Sequence, residues 1–241
     1  MKFEKPAELN PIDRLKVVGQ PVTRIDGKLK TTGRAVYSYE VHEPDLECSF
    51  GYPVIAKIST GRIRSNDVSA CRREPGVLGV VTSLDVGERE KGKYNTATVF
   101  GGDRIEHYHQ AVADVVANNF EEARAATPHV RIDYEAEPGA FDLKDALNGA
   151  VKPDESDKPD TATGNFEEAF AAAPVVLDQW YTTPDQTHAM MEPHASFASW
   201  KDGELTIRTS SQMIDWWRSD LATILEIDKN CVHLSSPYIG G

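Results

Sequence analysis

Apolar and polar residues alternate with the two-residue period of β-strands in many parts of the chain. Alternation predicts a strand with one buried face, and a short unbroken apolar run predicts a strand buried on both faces. The stretches that fit one of these patterns are residues 34–41, 51–60, 77–81, 111–117, 130–135, 175–183, 195–200, 204–211 and 231–237. Turn signals at Asp26–Lys28 and Thr31–Gly33 predict further short strands before the first of these, and Gly203 predicts a hairpin turn with positive φ.

The helical period of 3.6 residues appears in three other stretches, at residues 120–127, 166–173 and 214–225. Two of these helices follow an asparagine that can cap a helix N-terminus, namely Asn118 or Asn119 for the first and Asn165 for the second. The first helix joins two predicted strands, and the connection is shorter than a usual parallel crossover. We therefore predict an α+β fold rather than a doubly wound parallel sheet.

A polar stretch at residues 151–164 divides the chain into two regions. It is rich in proline, aspartate, lysine and threonine and lacks large apolar residues, which is typical of a linker, although a long surface loop has the same composition. The predicted organisation is an N-terminal arm over residues 1–18, a first domain over 19–150, the linker over 151–164 and a second domain over 165–241.

Composition and charge exclude several classes of partner. The chain has 241 residues, 40% of them apolar and 27% charged, which is typical of a soluble globular protein. A formal net charge of −12 repels phosphate backbones and anionic membrane surfaces, so we expect no nucleic-acid partner. No apolar run has the length of a membrane-spanning helix, so we expect no membrane insertion, and residues 1–11 show no hydrophobic signal core.

Common catalytic and metal-binding motifs do not occur in the sequence. The three cysteines, Cys48, Cys71 and Cys231, are widely spaced and form no CxxC pair, which argues against a disulfide framework, a zinc site or an iron–sulfur cluster in this chain. The chain also lacks the glycine-rich loops of nucleotide-binding proteins and the GxSxG motif of hydrolases.

Four histidines are candidates for metal binding. His107 and His109 form an HxH pattern, and His188 and His194 bracket Glu192. Such a pattern with nearby acids can bind a metal ion, but residue spacing places no third ligand beside either pair. We therefore favour a structural role, in which these side chains make hydrogen bonds.

Two further residues carry polar groups at informative positions. Glu192 lies among methionines and precedes Pro193, so its carboxyl group can act as a base with a raised pKa or accept a hydrogen bond from the neighbouring backbone, which we favour. Gln212 ends a predicted strand and opens the helix predicted at 214–225. An amide there can donate to an oxygen bound at the helix N-terminus, and simple capping of the helix is the alternative that the residues alone favour.

The order and spacing of several motifs resemble the molybdenum-binding subunit of the xanthine dehydrogenase/aldehyde oxidase family. Residues 24–37 fit the recurrent pattern R-x-D-G-x-x-K-x-T-G-x-A-x-Y of that family, and the similarity is greatest to the bacterial three-subunit aldehyde oxidoreductases of the periplasmic type. The other segments that carry the resemblance are residues 75–82, 107–135, 181–196, 209–222 and 236–241. The resemblance extends over essentially the whole chain.

The resemblance implies a fold and a set of site residues. The first domain is expected to be an a/b hammerhead domain, and the second is expected to be the first, truncated part of the molybdopterin-binding domain. Gln212 matches a glutamine beside an axial oxygen of molybdenum, and Gly240 and Gly241 match the start of a glycine loop whose backbone approaches the cofactor, with Gly241 the expected direct contact. Glu192 matches a supporting position near the substrate. The resemblance implies no direct metal ligand and no catalytic residue in this chain, because the catalytic glutamate of the family lies downstream.

The resemblance also implies a reaction and its partners. The complete subunit would oxidise aldehydes to carboxylic acids, or N-heterocycles to hydroxylated products, with a molybdopterin cytosine dinucleotide cofactor. Electrons would pass to iron–sulfur (Fe-S) and FAD subunits of a heterotrimer. The chain alone is expected to be inactive without the C-terminal part of the same subunit. A signal-bearing partner would carry it to the periplasm, and the cytoplasm is the alternative.

The sequence leaves two other interpretations of the chain open. The first is a non-catalytic, hammerhead-containing module that acts in assembly or interaction. The second is one half of a split subunit that another chain completes.

Overall fold

The computed structural model describes residues 16–41, 47–95, 99–151 and 161–240. The chain divides into two compact units: Met1–Asp45 together with Met190–Gly241, and Leu46–Ala189. Within the described ranges, no helix combines the length and the apolar character that crossing a membrane requires.

The described residues form nine strands, six α-helices and several short 3₁₀ turns. The strands are β1 (Phe50–Ile55), β2 (Gly61–Asp67), β3 (Val77–Thr82), β4 (Arg104–Ile105), β5 (Ala111–Ala117), β6 (Arg131–Ala136), β7 (Ser196–Lys201), β8 (Glu204–Thr209) and β9 (Val232–Ser235). The α-helices are α1 (Gly27–Thr31), α2 (Ser83–Val86), α3 (Phe120–Ala126), α4 (Leu143–Ala146), α5 (Phe166–Ala172) and α6 (Ile214–Leu225). Short 3₁₀ turns lie at Ser38–Glu40, Cys71–Arg73, Thr127–His129, Leu147–Gly149 and Lys229–Cys231.

Two antiparallel three-stranded sheets form the core of the unit Leu46–Ala189. One sheet has the order β1-β5-β3 and the other has the order β4-β2-β6. Helix α3 begins where the Asn119 side chain accepts a 2.9 Å hydrogen bond from the Glu122 N–H, so the predicted cap is confirmed. Because the strands on either side of α3 belong to different sheets, this strand–helix–strand segment is not a parallel crossover, and the α+β prediction is confirmed.

The third sheet lies in the other unit and contains a parallel strand pair. β7 and β8 are antiparallel and are joined by a tight turn in which Gly203 has a φ of +85°, as the sequence predicts. β8 and β9 are parallel, with Leu205 opposite Val232, and α6 connects them. Leu205 and Val232 are buried together with Ala222 of α6, so the helix covers one face of the parallel pair.

The strands predicted between residues 20 and 41 do not form. Helix α1 and a 3₁₀ turn occupy this segment instead. Asp26 binds Lys30 at 3.0 Å with the (i, i+4) spacing of a helix, and the Thr32 hydroxyl donates to the Lys28 carbonyl at 2.7 Å. These local contacts stabilise a helical turn at a position where the turn signals predict short strands.

The strand predicted at 175–183 is also absent from the structure. The segment is irregular, and Val175, Leu177, Trp180 and Tyr181 are exposed. A strand needs a neighbour that accepts and donates its backbone hydrogen bonds. No described strand lies beside this segment, so the alternation of its side chains does not produce a strand.

The predicted domain boundaries at 1–18, 19–150, 151–164 and 165–241 stay a prediction. The two compact units differ from them in two respects. The described residues 16–41 group with 190–240, and residues 165–189 group with the first predicted domain rather than with the second. Most of the predicted linker, residues 152–160, lies outside the described residues.

Candidate functional site

The parallel strands β8 and β9 end at the same side of their sheet. β8 ends at Thr209, shortly before Gln212, and β9 ends at Ser235, shortly before Gly240. Ligands of sheets with parallel strands commonly bind beyond the carboxyl ends of those strands. We call residues 209–213 and 236–240, together with Glu192, the carboxyl-end site.

Hydroxyl groups tie together the segments that follow the two strands. The Ser211 N–H donates to the Ser236 Oγ at 3.0 Å, which joins the chain after β8 to the chain after β9. The Met213 N–H donates to the Ser211 Oγ at 3.2 Å, and the hydroxyl groups of Ser196 and Thr209 lie 2.7 Å apart. Thr209 and Ser211 are buried, so these bonds are shielded from solvent and fix the local backbone.

Glu192 contacts both segments through its carboxylate. Its Oε1 accepts a hydrogen bond from the Ser210 hydroxyl, and its Oε2 accepts one from the Gly240 N–H. The favoured interpretation of Glu192 as an acceptor for a backbone group is therefore confirmed, although that group is remote in sequence. A Cβ on Gly240 would lie 2.5 Å from the Glu192 Cβ, which explains why a glycine is needed there.

Gln212 is exposed and lies just before the first turn of α6. Helix α6 begins at Ile214, its N-cap residue is Met213, and no side chain caps it. Simple capping by Gln212 is therefore not what the structure shows. Its carboxamide and the backbone N–H groups of the first turn of α6 lie at the same end of β8, where they can donate to a bound oxygen.

The structure describes only the first of the two glycines of the predicted loop. Gly240 is half-buried, and its N–H donates to Glu192, so only its carbonyl and its Cα face remain for a ligand. Gly241 lies outside the described residues, and its predicted contact with the cofactor stays a prediction.

Tyr238, which lies between Ser236 and Gly240, makes two contacts that the sequence did not predict. Its ring lies 5.9 Å from the Tyr37 ring, measured between centroids, and the Lys30 ammonium group lies 5.9 Å from the Tyr238 centroid. Lys30 and Tyr37 are the lysine and the tyrosine of the motif at residues 24–37. The motif at residues 24–37 is therefore the sequence signal from which this contact could have been predicted, because two of its residues contact Tyr238.

Histidines do not assemble into a metal centre in the part of the chain that the structure describes. No group of three His, Cys, Asp or Glu side chains that could hold a metal ion occurs there. His188 and His194 therefore do not join Glu192 in such a group. The His107 Nδ1 lies 3.0 Å from the Tyr108 carbonyl, in agreement with a structural role for this side chain.

The chain matches known proteins along most of its length. The sequence profile of the aldehyde oxidase and xanthine dehydrogenase a/b hammerhead domain matches residues 32–138, and that of the molybdopterin cofactor-binding domain matches residues 151–241. Over all of its 241 residues the chain is 52% identical to the aldehyde oxidoreductase molybdenum-binding subunit PaoC of Escherichia coli. It covers 33% of that protein, so it spans about a third of the length of this relative.

More distant similarities extend to a mammalian enzyme and to a solved structure. The chain is 27% identical over 230 residues to xanthine dehydrogenase/oxidase of Mus musculus, which covers 93% of this chain and 17% of that protein. The crystal structure of quinoline 2-oxidoreductase from Pseudomonas putida 86 superimposes with a TM-score of 0.75 at 22% identity, over 92% of this chain and 30% of that chain. The carboxyl-end site lies within the residues that the cofactor-binding profile matches.

Proposed function

The chain belongs to the aldehyde oxidase and xanthine dehydrogenase family, and we propose that its carboxyl-end site binds part of a molybdopterin cofactor. The family and the a/b hammerhead prediction are confirmed by the two profiles that match the chain. The observation that carries the proposal is the position of Gln212 and Gly240 beyond the carboxyl ends of adjacent parallel strands.

The residues of the carboxyl-end site fit such a cofactor. Gln212 presents an exposed neutral amide that can donate to an oxygen on the metal, and Gly240 has no side chain to hold the cofactor away. The N-terminus of the 12-residue helix α6 favours the negative charge of the cofactor. When bound, the cofactor supplies the oxidation chemistry, and the residues of this chain bind and orient it.

Aldehydes are the substrate class that we propose, with N-heterocycles as the second class. Support comes from the 52% identity to a protein named an aldehyde oxidoreductase subunit, which compares with 27% to a xanthine dehydrogenase/oxidase. The chain covers only a third of the former protein, so we propose that the residues that act on the substrate lie outside these 241 positions. We accordingly propose that these residues alone are inactive.

Electron balance requires partners for this reaction. Oxidation of an aldehyde with water to a carboxylic acid releases two protons and two electrons, so the reaction requires an electron acceptor. We propose that iron–sulfur and FAD subunits of a heterotrimer accept the electrons and that the cofactor is the cytosine dinucleotide form. We also propose the periplasm as the compartment, reached with a signal-bearing partner, which subcellular fractionation tests.

Analysis of the protein purified from its native host tests the proposed function. We expect about one molybdenum atom per subunit by elemental mass spectrometry, cytosine monophosphate after mild acid hydrolysis, and two further subunits by native mass spectrometry. A stable folded protein without molybdenum would contradict the proposal and favour the assembly module. Molybdenum bound only when a second chain completes the subunit would favour the split subunit instead.

A further inference from the structure

We propose that Glu192 is a positioning residue that holds the glycine segment and the glutamine segment of the cofactor site in one fixed arrangement. This inference rests on the proposed function, because it concerns the geometry of the same site. It assigns a role to a carboxylate whose described hydrogen bonds are with Ser210 and Gly240.

The hydrogen bonds of Glu192 define this role. Each carboxylate oxygen accepts one bond, from the Ser210 hydroxyl and from the Gly240 N–H respectively. Bonds to an ionised acceptor are about twice as strong as bonds between neutral groups. Residues 236–240 belong to no strand or helix, so side-chain contacts must hold the Gly240 backbone in place.

The same carboxylate also acts on the segment that contains Gln212. Ser210 is followed by Ser211, whose N–H bonds to Ser236 at 3.0 Å, and then by Gln212. Glu192 thus contacts both segments, at Ser210 and at Gly240, while the bond from Ser211 to Ser236 joins the two segments directly. Loss of the Glu192 carboxylate would leave a single described hydrogen bond between the two segments, from Ser211 to Ser236.

Packing places Glu192 close to the glycine backbone. The 2.5 Å separation between a Cβ built on Gly240 and the Glu192 Cβ shows that the two backbones approach closely at this point. Pro193 restricts the backbone of Glu192 to extended conformations, which limits the positions that the carboxylate can occupy. The side chain is half-buried, and both of its oxygens are engaged, which suits an anchor better than a proton acceptor.

Variants of Glu192 in the full-length protein, purified with its native subunits, test this inference. Glu192→Ala removes both acceptors, so we expect hydrogen exchange in residues 236–240 to become about tenfold faster. We also expect the rate of molybdenum loss during dialysis to rise about tenfold, as for other residues that orient metal-site groups indirectly. Glu192→Gln keeps an oxygen for the Gly240 N–H and offers an N–H to the Ser210 hydroxyl, so we expect recovery to within about fivefold of the wild type.

Glu204→Gln provides a matched control, because Glu204 lies at the opposite end of β8 and contacts His233. We expect it to leave both rates unchanged. Wild-type rates in Glu192→Ala would overturn the inference while leaving the proposed function intact. Equal acceleration of exchange across β8, β9 and α6, without rescue by Glu192→Gln, would show a merely structural role and also overturn it. A wild-type protein without molybdenum would overturn the proposed function itself, whatever the exchange rates.

Discussion

The Ser211 N–H donates a 3.0 Å hydrogen bond to the Ser236 hydroxyl oxygen, and this bond links the chain segments that follow two parallel strands. Ser211 is buried, so its N–H has little access to water as an alternative acceptor. The bond therefore contributes both to the stability of the unit and to the distance between the Gln212 and Gly240 segments.

Replacement of Ser236 by alanine is expected to lower the free energy of unfolding of this unit by about 1–2 kcal/mol, because the Ser211 N–H loses its acceptor. The expected change in melting temperature is a decrease of a few degrees, measured by differential scanning calorimetry on the native protein. Ser235→Ala is the control, because Ser235 is exposed and adjacent in sequence. Equal melting temperatures for the two variants would contradict the stabilising role of the Ser236 hydroxyl.

Replacement of Gly240 by alanine is expected to destabilise the carboxyl-end site by about 1–3 kcal/mol, as for other overpacked positions. The added Cβ would lie 2.5 Å from the Glu192 Cβ, so one of the two backbone segments must move. Molybdenum content per subunit, measured by elemental mass spectrometry, is expected to fall. Gly149→Ala is the control, because nothing lies within 4 Å of a Cβ at that position. Full molybdenum content in Gly240→Ala would refute the requirement for glycine.

The aromatic contact between Tyr37 and Tyr238 is expected to contribute about 1 kcal/mol to stability beyond the burial of the rings. A double-mutant cycle with Tyr37→Ala and Tyr238→Ala measures this coupling by thermal unfolding of the native protein. Tyr238→Phe is the control, because it keeps the ring that lies 5.9 Å from Tyr37. Strict additivity of the two alanine substitutions would show that the N-terminal segment does not anchor the segment that contains Gly240.

Asp114 in the centre of the first sheet is expected to make stability depend on pH. Burial raises the pKa of its carboxyl above the ordinary value of 3.8. Backbone hydrogen bonds from Tyr52 and Val115 lower the pKa, but the effect of burial is larger. Within the described part of the chain, its Oδ1 is buried without a hydrogen-bond partner. The folded state thus holds the proton more tightly than the unfolded state. The contribution of Asp114 to stability is therefore most favourable below pH 3.8 and is lost as the pH rises through the folded-state pKa.

Replacement of Asp114 by asparagine removes this charge, so the variant is expected to melt at a higher temperature than the wild type at pH 7. The difference is expected to shrink below pH 3.8, where the carboxyl is protonated in both states. Asp133→Asn on β6 is the control, because Asp133 is exposed. A lower melting temperature for Asp114→Asn at pH 7 would show that the carboxylate stabilises the sheet.

Local chemistry explains the parts of the fold that the sequence predicts correctly. Asn119 caps α3 with its own side chain, and Gly203 adopts the positive φ that its turn requires. Both features depend on residues that are neighbours in sequence. The helix Ile214–Leu225 was equally predictable from the sequence, because its apolar residues recur with the helical period. Residues of its apolar face pack against β8 and β9.

Non-local pairing explains the parts that the sequence does not predict. Residues 175–183 alternate like a strand, but no described strand pairs with them, and a side-chain pattern cannot reveal whether a partner exists. The contact between Glu192 and Gly240 joins residues far apart in the chain, so no spacing rule finds it. The residues alone raised Gln212 as a candidate but favoured simple capping, and only the resemblance assigned Gln212 and Gly240 to one site. Their proximity depends on the parallel pairing of β8 with β9.

The position of molybdenum in the natively purified protein is the most direct test of the central claim. X-ray diffraction at the molybdenum absorption edge locates the metal independently of any assumption about the fold. We predict an anomalous peak beside the Gln212 carboxamide and the Gly240 backbone, beyond the carboxyl ends of β8 and β9. A peak located away from these residues, or molybdenum-free crystals of an intact protein, would contradict the assignment of the carboxyl-end site as a cofactor site.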